Sequence, residues 1–388
     1  MKKTLSILLT VILAVSFALS AFASDTPSKE SVLNEIDATV AYITDGRSGY
    51  TVDSATDYYY VAKTGAKSNS FYEAFLQNVK DNLEANDGRL VSVYGENATT
   101  YAAVIGIIDA MGDDPTNINS VNLIELFENS DISDISNPYY YNIVIPVAAK
   151  YLDEQFVKSL CDSFIEDYYT VGSGMNYWGF SNDNTAMFIS AVSQSGLEAY
   201  DDILEDAVNI LNTYKTEGGY CYNPEYGTEA NVDSTALALM ALCEYYAYTG
   251  TAEDNIFELS DLYKALLTFR GETEGSFAFD GVEGTYYAAD ALKGLVSFYS
   301  VLPDKKPADS TDDSDNSENK KPTDNTDNTD NKQPEADTPV KVPTDNETDR
   351  NPDIPNTDGG NSTVSVGVVS LAVIIATAVL NKKEENND

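Results

Sequence analysis

Two apolar patterns alternate along most of this chain. One places apolar residues at helical spacing with polar residues between them, as in Val32, Ile36, Val40 and Ile43 of the segment 28–44. The segments 70–85, 121–129, 154–168, 199–214 and 255–269 repeat it, and a one-sided stripe of this kind predicts a helix half exposed to water. The other pattern is apolar on nearly every side and fills 57–63, 97–111, 139–152, 183–194, 233–248 and 285–299. Such helices belong inside. In the third of them, Pro146 is expected to kink the helix or to mark its true start. Outer and inner helices thus alternate six times, and short connections pack consecutive helices antiparallel. The expected fold is all-α, an (α/α)6 toroid of six outer/inner helix pairs. Its inner helices run parallel, so their N-terminal ends gather at one rim.

The last three inner helices repeat at a period of 50 residues. Asp183-Asn-Thr-Ala, Asp233-Ser-Thr-Ala and Glu283-Gly-Thr-Tyr share an acid followed two residues later by Thr, at Thr185, Thr235 and Thr285. A fixed period of this size marks a repeat architecture. Long loops rich in Gly and aromatics precede these helices, at 172–180, 218–222 and 275–279. Ordered loops on one rim of a rigid scaffold are where function concentrates. The candidate ligand-binding rim is therefore Tyr177, Trp178, Asp183, Tyr220, Tyr222, Asp233, Phe277 and Glu283. For Asp183 and Asp233 the simpler expectation is helix N-capping, which a carboxylate does well beside the positive helix end. Trp178 divides evenly between core and platform. The runs Tyr58-Tyr-Tyr60 and Tyr139-Tyr-Tyr141, with Tyr286-Tyr287, stand at inner-helix starts. Three in a row point three ways, so some pack and some line the hollow.

A Gly-Gly-aromatic loop followed by Asp-x-Thr-Ala and a small-residue helix resembles the repeat of the terpenoid cyclase and protein prenyltransferase toroid superfamily. The likeness covers 172–299 well and is looser upstream. It implies the toroid fold; function does not travel with a fold. The zinc of the prenyltransferases needs Asp, Cys and His, and this chain has no histidine, so no metal or other cofactor is expected. The same absence removes Ser-His-Asp and Cys-His nucleophile systems. The Asp-x-Asp-Asp acid of squalene-type cyclases is missing from the folded part, where Asp113-Asp114 and Asp201-Asp202 lack the spacing. Terpene cyclisation therefore ranks last. The thioester motif is absent around Cys161, Cys221 and Cys243, and no strand-rich domain follows that could close over a cobalamin. A carbohydrate-active enzyme, hydrolase or lyase, needs only paired carboxylates or a Tyr base beside aromatic platforms, and the rim has both.

Composition divides the chain into four. Residues 1–23, two lysines and an apolar run ending in Ala21-Phe-Ala23, read as a signal peptide. Residues 24–302 form the toroid. Residues 303–361, dominated by Asp, Asn, Thr, Pro and Lys, are expected to be a disordered linker. Residues 362–388 carry an apolar run just long enough to cross a bilayer, followed by Lys382 and Lys383. Before it, Ile354, Pro355, Asn356, Thr357 and Asp358 resemble the sorting pentapeptide of Gram-positive surface proteins, with Ile for Leu and Asp for Gly. That Asp weakens the case for covalent attachment and leaves a membrane anchor intact, with the toroid outside the cell.

Charge narrows the partners. Between Ser24 and Leu302 stand 44 acidic and 12 basic residues, a net −32 out of −40 for the whole chain. A surface of that sign excludes nucleic acid and docking on an anionic membrane. Three cysteines are too few and too odd in number for a disulfide framework. The favoured expectation is a surface-displayed, non-catalytic toroid that binds a small molecule, glycan or peptide partner at its acidic, Tyr-rich rim. The alternative is an extracellular carbohydrate-active enzyme using two rim carboxylates.

Overall fold

A computed structural model describes residues 26–303, apart from 66–68 and 136. The signal segment, the linker, the apolar run and the sorting-like pentapeptide lie outside the described residues. Among those described, no helix is long and apolar enough to cross a membrane.

Twelve α-helices are present among the described residues. The outer ones are α1 (Lys29–Thr44), α3 (Asn69–Ala85), α5 (Leu123–Glu128), α7 (Glu154–Tyr168), α9 (Asp201–Asn212) and α11 (Ile256–Leu267). The inner ones are α2 (Ala55–Lys63), α4 (Ala98–Ala110), α6 (Tyr141–Tyr151), α8 (Asn182–Ser193), α10 (Val232–Tyr248) and α12 (Thr285–Val301). Each outer or inner pattern in the sequence corresponds to one of them, and Pro146 is held within α6. Burial follows the two patterns. In α9 only Leu204, Ala207, Val208 and Leu211 are buried, one stripe; in α4 every residue from Ala98 to Ile108 is.

Consecutive inner helices pack side by side from α2 round to α12, and α12 closes the ring against α2. The ring is sealed on the outside too. α12 packs on α1, and Arg270, just past α11, donates from Nε to Glu35 of α1 at 3.0 Å. The result is an α/α toroid whose centre is filled. Tyr60 donates across the axis to Asn142, whose amide donates to the Met187 carbonyl at 3.4 Å. The run Tyr58 to Tyr60 does point three ways. Tyr58 lies against Phe75 of α3, Tyr59 fills the notch left by Gly106 of α4, and Tyr60 reaches Asn142 of α6.

The three Gly-aromatic loops each fold back as a two-residue hairpin, a detail the pattern did not show. The hairpins are β1/β2 (Tyr169–Thr170 with Gly174–Met175), β3/β4 (Lys215–Thr216 with Gly219–Tyr220) and β5/β6 (Ala278–Phe279 with Val282–Glu283). Here the repeat acquires a physical meaning. A Cβ on Gly174 would sit 2.6 Å from the Thr185 hydroxyl, and one on Gly219 would overlap Thr235. The Thr235 hydroxyl also accepts the Tyr220 N–H at 3.0 Å. Glycine in the loop and threonine in the helix are two halves of one contact, which docks the hairpin on the inner helix. All three cysteines are buried free thiols.

Candidate functional site

The capping expectation for Asp183 and Asp233 is corrected by the structure. The caps are Ser181, whose hydroxyl accepts the Asn184 N–H at 3.2 Å, and Asn231, whose carbonyl oxygen accepts the Ser234 N–H at 2.8 Å. Asp183 and Asp233 are the second residues of α8 and α10. With the backbone donors already satisfied, their carboxyls turn to the space between neighbouring helices. The Ser234 hydroxyl donates to Asp183 Oδ1 at 2.7 Å, and the Asn182 amide donates to the same oxygen at 3.1 Å and to the Ser234 carbonyl at 2.8 Å. Two inner helices, 50 residues apart in sequence, are thereby joined at their first turns.

A third acid completes the cluster, and it is not Glu283. That residue precedes α12, where its carboxylate accepts the backbone N–H groups of Glu272 and Thr273 and so braces the last hairpin. The Thr273 side chain first, and then these backbone bonds, hold Glu283 below its ordinary value. The third acid is Asp290, buried in α12 and bound to Lys293 at 2.6 Å. The period of 50 therefore fails at the sixth inner helix: Tyr286, not an acid, is the second residue of α12.

The two carboxyls have unequal surroundings. Asp183 is pushed up to about 6, by burial first and by Asp290, against the pull of its Ser234 and Asn182 bonds. Asp233 accepts no hydrogen bond among the described residues, and its Oδ1 is fully buried. Burial, then Asp290 and Asp183, raise it well above the ordinary 3.8. Both carboxyls therefore keep their protons to higher pH than free carboxyls do, and Asp233 has no hydrogen bond among the described residues to offset its burial. Asn182 Oδ1 is a second buried acceptor without a partner among the described residues. The surrounding phenols are held in the protonated form: Tyr286 is raised by Asp290 and then by burial, and Tyr139 by burial and then by Asp183. Among the described residues no group of three or more His, Cys, Asp or Glu side chains is arranged to hold a metal ion.

Trp178 lies in the loop before α8 and is 87 % exposed. Its φ of 60° is a left-handed backbone that a bulky residue adopts at a cost. A network pays that cost. Asn184 of α8 donates to the carbonyls of Tyr177 and Gly179, at 2.9 and 2.7 Å, and accepts the Tyr139 hydroxyl at 2.6 Å. Tyr177 is half-buried and meets the rings of Tyr139 and Trp178 edge-on. The exposed indole thus stands on a strained backbone that the buried Asn184 amide holds in place. Trp178→Gly is expected to leave stability unchanged or raise it by up to about 1 kcal/mol, while removing the exposed ring. Thermal melts of the two proteins check this, and a large loss of stability would show that the indole is structural.

Of the remaining expected rim residues, Tyr222 is half-buried against Tyr226, and its carbonyl accepts the Asn182 N–H at 2.9 Å. Tyr220 and Phe277 are corrected. Both are fully buried under their hairpins, because each follows a tight turn that directs its ring inward as packing. Asn182, Ser234, Tyr139, Asn184, Asp290 and Lys293 were not among the expected site residues. For Asp290 and Lys293 a signal existed: an acid and a base inside an otherwise apolar inner helix.

No protein-family model and no curated protein matches the sequence. Among solved structures, the chain is similar to a polysaccharide lyase, with 10 % identity and a TM-score of 0.50 over 71 % of this chain and 98 % of the lyase. It is also similar to the type II terpene cyclase MstE from Scytonema in its apo form, with 14 % identity and a TM-score of 0.48 over 71 % of this chain and all of the cyclase. At such identity the likeness to the lyase establishes a common α/α toroid and nothing of its chemistry.

Proposed function

We propose that the rim binds a neutral or amine-bearing glycan and hydrolyses a glycosidic bond, with Asp233 as the proton donor and Asp183 as the ionised partner. One observation carries this reading: two buried carboxyls at the starts of adjacent helices, one with two donors and one with none among the described residues. Environments that separate two carboxyls in this way assign one as acid and the other as base or nucleophile. The negative charge of Asp183 and Asp290 would favour the positive charge that develops on the sugar ring. Trp178 and Tyr177 offer faces on which a sugar stacks.

Elimination on a uronate polymer is the less favoured enzyme. It needs a base at the C–H and a cation at the uronate carboxylate. Here the phenols near the cluster are raised, and Lys293 is occupied by Asp290. Binding without chemistry is the second reading, favoured by the unpartnered acceptors Asp233 Oδ1 and Asn182 Oδ1, which suit a ligand rich in donors. The reading places this activity outside the cell, and it takes that location from the composition of the two ends of the chain.

The test is incubation of the full chain with neutral and amino-sugar polysaccharides, following both reducing ends and the ultraviolet absorbance of unsaturated ends. Hydrolysis produces the first alone. Unsaturated ends would overturn the mechanism in favour of elimination. Binding that depends on Trp178 but yields no new ends would establish the second reading.

A further inference from the structure

The other half of the same rim holds a cavity of about 400 Å³, between the starts of α2, α4 and α6. Six of its lining residues matter for recognition: Asp53, Thr56, Tyr94, Glu96, Thr99 and Tyr140. Its walls are pinned. Asp53 Oδ1 accepts the Val93 N–H at 2.7 Å, which ties the turn carrying Tyr94 to the entry of α2. Glu96 accepts the Tyr101 hydroxyl at 2.7 Å and pairs with Arg89 at 3.3 Å. Tyr94 nevertheless stands 74 % exposed over the opening.

The lining speaks to the ligand. It contains carboxylates, hydroxyls, amides and two phenol rings, and no Lys or Arg, so it offers an anion nothing. Among the described residues, Thr56, Thr99 and Tyr140 have side-chain hydroxyls engaged in no hydrogen bond, and Asp53 uses only one of its two oxygens. A ligand that brings several hydroxyl donors and an apolar ring face meets all of these groups. The volume lies near the lower end of small-molecule pockets, about 300–1,000 Å³, a space for one or two sugar rings. The cavity is also continuous in sequence with the acid cluster: Tyr140 lines it, and the adjacent Tyr139 meets Tyr177 at a ring distance of 5.7 Å.

We propose that this cavity is a second saccharide site, which takes a neutral sugar unit of a glycan whose other end lies at Trp178. The link to Trp178 rests on the glycan reading above; the cavity's own preference for a neutral sugar does not. The test is calorimetric titration of the full chain with β-1,4-linked glucose and N-acetylglucosamine oligomers, from dimer to hexamer. Tyr94→Ala removes an exposed ring, and Thr99→Val keeps the shape while deleting a hydroxyl, so both variants fold. Each is expected to weaken hexamer binding by about three- to tenfold and to leave turnover of short substrates unchanged. Hexamer binding that needs Trp178 but ignores both cavity variants would overturn the second site and leave the hydrolase reading standing. Binding that needs Tyr94 and Thr99 but not Trp178, with no turnover by the wild type, would keep the cavity site and sink the hydrolase. Failure of every oligomer to bind would remove both.

Discussion

Asp233→Asn is expected to abolish turnover and, at neutral pH, to make the fold more stable. The two effects have one cause. Asp233 is a buried carboxyl that no donor satisfies among the described residues, and loss of a positioned general acid costs about 10²–10⁴-fold in rate. Asparagine is neutral at every pH and adds a donor to a cluster with surplus acceptors. Relief of a buried, unsatisfied group is worth about 1–3 kcal/mol. The sign of the pH dependence follows from the raised values. Unfolded, Asp183 and Asp233 titrate near 3.8; folded, Asp183 titrates at about 6 and Asp233 is raised well above 3.8. Between those values the folded chain keeps protons that the unfolded chain has released. Their contribution is therefore most favourable to folding below about pH 4 and is lost as pH rises through the folded values. Urea unfolding of both proteins from pH 4 to pH 8 should show the variant gaining on the wild type as pH rises. If the variant were less stable at pH 7, or if the two curves ran parallel, Asp233 would not be a buried acid held protonated.

Gly275→Ala is expected to cost about 2–5 kcal/mol, the sum of a left-handed backbone and an overpacked contact. Gly275 has a φ of 77°, and a Cβ there would overlap the carbonyl oxygen of Ala38 in α1. This is the point where the last hairpin closes onto the first helix, near the ion pair of Arg270 with Glu35. Neither partner is free to yield: a backbone carbonyl inside α1 cannot move without opening the helix. Gly281→Ala is the control. It has a φ of 73° with no heavy atom near its Cβ, so it pays for the backbone alone, about 1–2 kcal/mol. The excess should appear as faster amide exchange across α1, because the seam between the two ends of the toroid would open first. Equal losses in the two variants would mean that the clash is absorbed and the seam unaffected.

The readable and unreadable parts of this protein separate by range. Helix existence and the outer or inner role are local properties. The stripe through Leu204, Ala207, Val208 and Leu211 and the unbroken burial of Ala98 to Ile108 both follow from which residues occupy adjacent turns. The repeat signal was genuine as well, since Thr185 with Gly174 and Thr235 with Gly219 form the same contact twice. Its extension to Glu283 misled, because a period in sequence carries no information about where a helix begins. Asp183 and Asp233 enter their helices at the second residue; Glu283 stays outside α12 and braces a hairpin. The acid that joins the cluster, Asp290, comes from a full turn inside α12.

By itself, then, the sequence determined the alternation of half-exposed and buried helices, their number, the ring they form, and the acidic, aromatic character of one rim. Hydrophobic periodicity encodes these directly, through the surface each helix must remove from water. The tertiary structure alone decided that Ser181 and Asn231 cap these helices, that Glu283 braces a hairpin, and which acids join the cluster. It also buried Tyr220 and Phe277 while lifting Trp178 into solvent. Those outcomes depend on distances between side chains far apart in the chain, and on whether a carboxyl finds a donor once the helices have packed.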